Sequence, residues 1–180
     1  MKGLIFTEFM EMVEKTWSLD MVDSIIEQSR IASGGVYTSV GSYPYEELSA
    51  LINSLSAQTN VPVEDLIRTF GSYLFNSYAN GYPRFFAGIT DSFQFLSGIE
   101  NIIHAEVGKL YPDTNLPTFK VETGDDQLIL TYFSEHPLAD LVCGLLEGCL
   151  KHFQQKAKIE RMPTPNLPGA QARFILTRQA

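Results

Sequence analysis

Through roughly the first 110 positions, apolar residues recur every three or four places. From Thr118 onward they alternate instead. The first period lays a stripe along a helix and the second covers one face of a strand. The chain must therefore build a helical part first and a sheet after it. Leu4, Ile5, Phe9, Met12, Val13 and Trp17 form the stripe of a helix over 2–17, with Glu8, Glu11 and Glu14 toward the other side. Asp20 is placed to cap a second helix reaching about Ile31, and Ser33-Gly34-Gly35 ends it. Val36 to Val40 has strand composition but leads into a turn at Gly41-Ser42-Tyr43-Pro44. A third helix runs from Glu46 to about Thr59 on Leu48, Leu51, Ile52 and Leu55. Pro62 opens a fourth, a favoured first-turn position, and Glu64 and Asp65 complement its dipole. It runs to Gly81-Tyr82-Pro83. Asp91 caps a helix over Ser92–Leu110, which Pro112 stops.

Beyond that point Thr118–Glu122 and Gln127–Ser134 read as strands joined by a turn at Gly124-Asp125-Asp126. A helix follows from Pro137 to about Phe153, and Lys158–Met162 and Arg173–Arg178 read as a second strand pair. The expected fold is α+β in one domain, 1–180. It has a helical N-terminal lobe over about 1–62 and an antiparallel sheet lobe with one crossing helix over about 63–180.

The net charge of −8 disfavours nucleic acid and anionic membrane surfaces as partners. No apolar run is long enough for a membrane span, and acidic residues interrupt the N-terminal one too early for a signal peptide, so a cytoplasmic location is expected. Cys143 and Cys149, six apart in a helix, point to different faces and read as free thiols. There is no phosphate loop, no Gly-x-Ser-x-Gly elbow and no histidine-rich metal motif. The acidic pairs Glu46-Glu47 and Asp125-Asp126 sit at a helix start and in a turn, so nothing singles out an enzyme, and none is expected.

Twelve Phe and eight Tyr fill a core, or line a cavity for a flat apolar ligand. His104 stands beside the stripe of Leu96, Ile99, Ile103, Val107 and Leu110. Taken alone it fits a core-boundary histidine better than an iron ligand. Tyr132, Ser134 and His136 share one strand face if the strand persists that far, giving either a solvent-facing polar strip or a row of donors for carboxylates. By itself the polar strip is the better reading. Gly144 and Gly148, one helical turn apart, mark a close approach, by a helix or strand backbone more often than by a flat cofactor.

Several colinear blocks change these odds. They are Met1-Lys2-Gly3, Val36-Tyr37-Thr38-Ser39-Val40-Gly41-Ser42-Tyr43, Ile103-His104-Ala105-Glu106-Val107-Gly108-Lys109-Leu110-Tyr111-Pro112, Tyr132-Phe133-Ser134 and Gly144-Leu145-Leu146-Glu147-Gly148. Together they resemble the H-NOX family, the haem–nitric oxide/oxygen binding domains of bacteria related to the sensor domain of soluble guanylate cyclase. The resemblance implies a haem b between the two lobes, with His104 as the iron ligand. It implies that Tyr132 and Ser134 bind the propionates, as the start of the family's Tyr-x-Ser-x-Arg motif. Pro117 matches the proline that distorts the porphyrin, and Ile5 and Leu145 match residues packed on the macrocycle. Phe9, Leu74, Tyr78 and Leu141 match pocket positions.

Three departures from the family pattern stand out. The motif's arginine is His136, which predicts a weaker or pH-dependent grip on haem. The distal positions Phe9, Leu74 and Leu141 carry no hydroxyl, which predicts a preference for nitric oxide over oxygen. The C-terminal cysteines that bind zinc in many relatives are missing around Met162–Pro168, so no zinc is expected. The implied function is a ferrous haem sensor of nitric oxide, with carbon monoxide as a second gas. Its implied switch is a weakened iron–His104 bond, relaxation against Pro117 and Ile5, and a shift of one lobe against the other. A histidine kinase or cyclic-di-GMP enzyme would read it. A haem-dependent redox sensor or haem carrier, and more distantly a small-molecule enzyme, are the rival readings.

Overall fold

The computed structural model describes residues 1–100, 116–164 and 169–179. Four helices come first: α1 (Gly3–Thr16), α2 (Leu19–Ser29), α3 (Tyr45–Thr59) and α4 (Val63–Gly81). A 3₁₀ turn at Pro83–Phe86 leads to α5 (Ser92–Ser97). Then come β1 (Thr118–Thr123), β2 (Gln127–Phe133), α6 (Ala139–His152), β3 (Ala157–Met162) and β4 (Ala170–Arg178). The sheet is antiparallel in the order β1-β2-β4-β3. The fold is α+β, as the switch of period requires.

Two apolar clusters hold it together. One joins α1, α2, α3 and the first half of α4 around Phe6, Phe9, Ile25, Leu51, Leu55 and Phe70. The other joins the second half of α4 to α5, α6 and the sheet around Phe75, Phe95, Leu128, Leu146, Phe174 and Leu176. The long helix α4 therefore feeds both, through Leu66, Phe70 and Leu74 on one side and Phe75 and Ala79 on the other.

Helix α6 packs along α4 at backbone distance. A Cβ on Gly144 would lie 1.9 Å from the Arg68 carbonyl oxygen, and one on Gly148 would lie 2.7 Å from Phe75 Cβ. The two glycines thus serve helix packing. Arg68 and Glu147 pair across the same seam. Of the two free thiols, Cys149 is buried and Cys143 half-buried.

Two local expectations change. Ser18, not Asp20, caps α2, accepting from the Met21 amide at 3.1 Å. Ser18 takes the extended backbone that a capping residue needs, and Asp20 already lies inside the first turn. Residues 36–40 form no strand. Tyr37 turns inward to stack on Phe6 and to donate to Glu47 at 2.8 Å, while Val36 and Val40 are left exposed. The helix over 92–110 is capped by Asp91 as expected, its Oδ1 accepting from the Gln94 amide. A turn at Gly98 interrupts it after Ser97, and Ile99 and Glu100 resume as a wider, π-type helical turn. His104 and the rest of that segment lie outside the described residues.

Candidate functional site

A cavity of about 570 Å³ opens between α1, α4, α5, α6 and the sheet. That volume falls within the range of cofactor sites, roughly 300–1,000 Å³. Alternation on β2 turns Leu130 and Tyr132 toward it, the helical stripe of α6 contributes Leu141, Val142, Leu145 and Leu146, and α1 brings Ile5 from its first turn. The walls are therefore largely aliphatic and aromatic.

Of the residues singled out from sequence, Ile5, Leu74, Tyr78, Pro117, Tyr132, Ser134, His136, Leu141 and Leu145 line this cavity. Phe9 does not. It is fully buried in the helical cluster, edge-on to Phe70 at 5.3 Å. Sequence reasoning missed Lys2, Ser42, Tyr82, Phe86, Phe95 and Phe119, which also line it. The aromatic run from Tyr82 to Phe95 was the available signal for three of them. No sequence spacing connects Lys2 and Ser42 to β2.

Polar groups gather at one end. Strand β2 stops at Phe133, with a register irregularity at Tyr132/Phe133 where it pairs with β4. His136 therefore does not reach the cavity by strand alternation. It arrives through a turn in which the His136 amide donates to Ser134 Oγ at 3.1 Å. Its ring stacks on Tyr45 at 4.6 Å and 16° from parallel. The Tyr132 hydroxyl donates to the His136 carbonyl at 3.4 Å. Burial pushes the Tyr132 phenol above its ordinary pKa. The cavity thus offers a large apolar surface with hydroxyls and an imidazole at one edge, a shape and polarity that fit a flat apolar ligand with an acidic tail.

A second polar constellation supports the helical lobe without entering the cavity. Glu47 on α3 is buried and accepts from the Ser33 amide, the Ser33 hydroxyl and Tyr37 OH, at 3.1, 2.6 and 2.8 Å. Burial alone would raise its pKa. The hydrogen bonds outweigh burial and hold it below the usual carboxylate value. This carboxylate pins the loop after α2, whose Gly41 and Ser39 carbonyls accept from the Gly3 and Leu4 amides of α1.

Residues 2–161 match the Haem-NO-binding family model. The chain belongs to the Haem-NO-binding (H-NOX) family. An Fe(II) unliganded H-NOX protein from K. algicida is 39% identical with a TM-score of 0.90, over 100% of this chain and 97% of that one. An H-NOX protein from S. oneidensis in the Fe(II)NO state is 29% identical with a TM-score of 0.90, over all of both chains. The IWP-051-bound H-NOX from Shewanella woodyi in the Fe(II)CO state is 39% identical with a TM-score of 0.85, over 99% of this chain and 95% of that one. The soluble guanylate cyclase subunit beta-2 of Rattus norvegicus is 30% identical over 95 residues, 51% of this chain but only 14% of that protein. No helix among the described residues of this H-NOX chain is long and apolar enough to cross a membrane.

Proposed function

We propose that this H-NOX chain is a haem-based sensor of nitric oxide that binds haem b in the cavity and signals to a separate protein. The observation that carries the reading is the cavity itself, apolar on its walls and polar at one edge, in a chain of this family. The haem would supply a ferrous iron with a face open to a diatomic gas. His104 is the proposed iron ligand. The relatives in Fe(II)NO and Fe(II)CO states make both gases candidate ligands here.

The chain's own residues do the rest. Tyr132, Ser134 and His136 hold the acidic edge, and Pro117 and Ile5 press on the flat apolar surface from the sheet side and from α1. Leu74 and Leu141 line the cavity without a donor, so a polar iron–oxygen unit gains no hydrogen bond from either of them. Nitric oxide depends less on such a donor. Ile5 lies on α1, whose first turn is tied to the pinned 33–43 loop, so a shift at the ligand is carried into the helical lobe. A histidine kinase or cyclic-di-GMP enzyme is the proposed reader. One domain over 1–180, with its ligand site between a helical and a sheet lobe, is the proposed organisation.

The assignment is tested by replacing His104 with Gly and reconstituting with haem. Retention that requires added imidazole supports it, and full retention without imidazole refutes it.

A further inference from the structure

The polar edge of the cavity is drawn from two distant parts of the chain. Ser134, Glu135 and His136 follow β2, while Lys2 is bridged to Ser42, three residues before the Tyr45 on which His136 stacks. A ligand with carboxylate side chains needs a cation here. Among the described lining residues, Lys2 is the one lysine or arginine. Glu135 and His136 are the other ionisable side chains beside it at this edge.

The main chain is largely engaged here: the Met1 ammonium, which also lines the cavity, donates to the Tyr43 carbonyl at 2.8 Å. The first amides of α1 are committed, Gly3 to the Gly41 carbonyl at 2.9 Å and Leu4 to the Ser39 carbonyl at 3.1 Å. Lys2 precedes the helix in extended conformation. A lysine stem also lies well along an apolar wall while its ammonium reaches a polar edge, and here Met1, Leu4 and Ile5 supply that wall.

Resting on the haem reading above, we propose that Lys2 grips a haem propionate and completes, with Tyr132 and Ser134, a carboxylate site assembled from α1 and β2. The ligand's acidic edge then ties the first turn of α1 to the sheet. His136 stands at the same edge, stacked on Tyr45.

The test compares release of haem, and of haem whose two carboxylates are methyl esters, from the reconstituted full chain to an excess of haem-scavenging apoprotein. Denaturant unfolding of each variant, recorded beside release, checks that the fold survives the replacement. Lys2→Met should release haem roughly tenfold faster than the unsubstituted protein, and Lys2→Arg should restore slow release. The ester should leave the unsubstituted and Lys2→Met proteins at the same rate. Equal haem release from the unsubstituted and Lys2→Met proteins overturns the proposal. So does an equal acceleration of haem and ester, which would assign Lys2 a packing role only. If the unsubstituted protein takes up neither ligand, the haem reading itself fails and this site with it.

Discussion

Gly71 on α4 and Gly144 on α6 face each other across the helix seam, so close that a Cβ on Gly71 would stand 3.0 Å from the Gly144 Cα and 2.2 Å from the Leu141 carbonyl oxygen. The same turn of α6 carries Leu141 and Leu145 into the cavity. Helix contact and cavity wall are therefore set by one backbone distance.

Gly144→Ala should separate the two helices. Its methyl group would collide with the Arg68 carbonyl, and backbone does not yield as a flexible side-chain end does. A loss of about 1–3 kcal/mol is expected, read as a lower midpoint in denaturant unfolding at unchanged slope. An unchanged midpoint would show that the seam has slack.

Much of this was legible in sequence. The switch of period gave the α+β class, and the glycine pair signalled the close helix approach. The Tyr132–Ser134 spacing alone favoured a solvent-facing strip, and only the family resemblance pointed it to a cavity edge. What was illegible depended on tertiary partners. Residues 36–40 are β-branched and aromatic, yet the inward hydrogen bond of Tyr37 to Glu47 overrides that propensity. Phe9 and Ile5 share a helix, but only their placement separates a core residue from a cavity residue. Lys2 is an ordinary surface lysine until the 33–43 loop and β2 bring it to the cavity edge.

Asp91 links three segments: its carboxylate receives Arg178 Nη2 at 2.9 Å, the Gln94 amide at 2.9 Å and Gln155 Nε2 at 2.9 Å. The Arg178 guanidinium, helped by the other two donors and opposed by partial burial, holds its pKa well below the usual carboxylate range. A depressed carboxylate contributes stability that is complete above its unfolded value of about 4 and fades as pH falls below that. Asp91→Asn should therefore flatten the acid limb of the stability–pH curve below about pH 4. Because the pair is about one-third exposed, at 33% and 30%, its share is at most about 1 kcal/mol near neutral pH. An acid limb identical in Asp91→Asn would contradict this role.

Leu141→Tyr tests the distal wall. Leu141 lines the cavity, so a phenol placed there would offer bound oxygen a donor. Oxygen affinity measured by equilibrium binding should rise several-fold, about what one hydrogen bond of about 1 kcal/mol provides. Nitric oxide affinity should change less. An unaltered oxygen affinity would remove Leu141 from the distal side.

The absorption spectrum of the ferrous, haem-reconstituted chain, recorded alone, with nitric oxide and in air, tests the central claim most directly. A Soret band that moves with nitric oxide and does not convert to an oxygen complex in air is the expected result. No Soret band after reconstitution, or one indifferent to nitric oxide, would contradict the reading of this chain as a haem-based nitric oxide sensor.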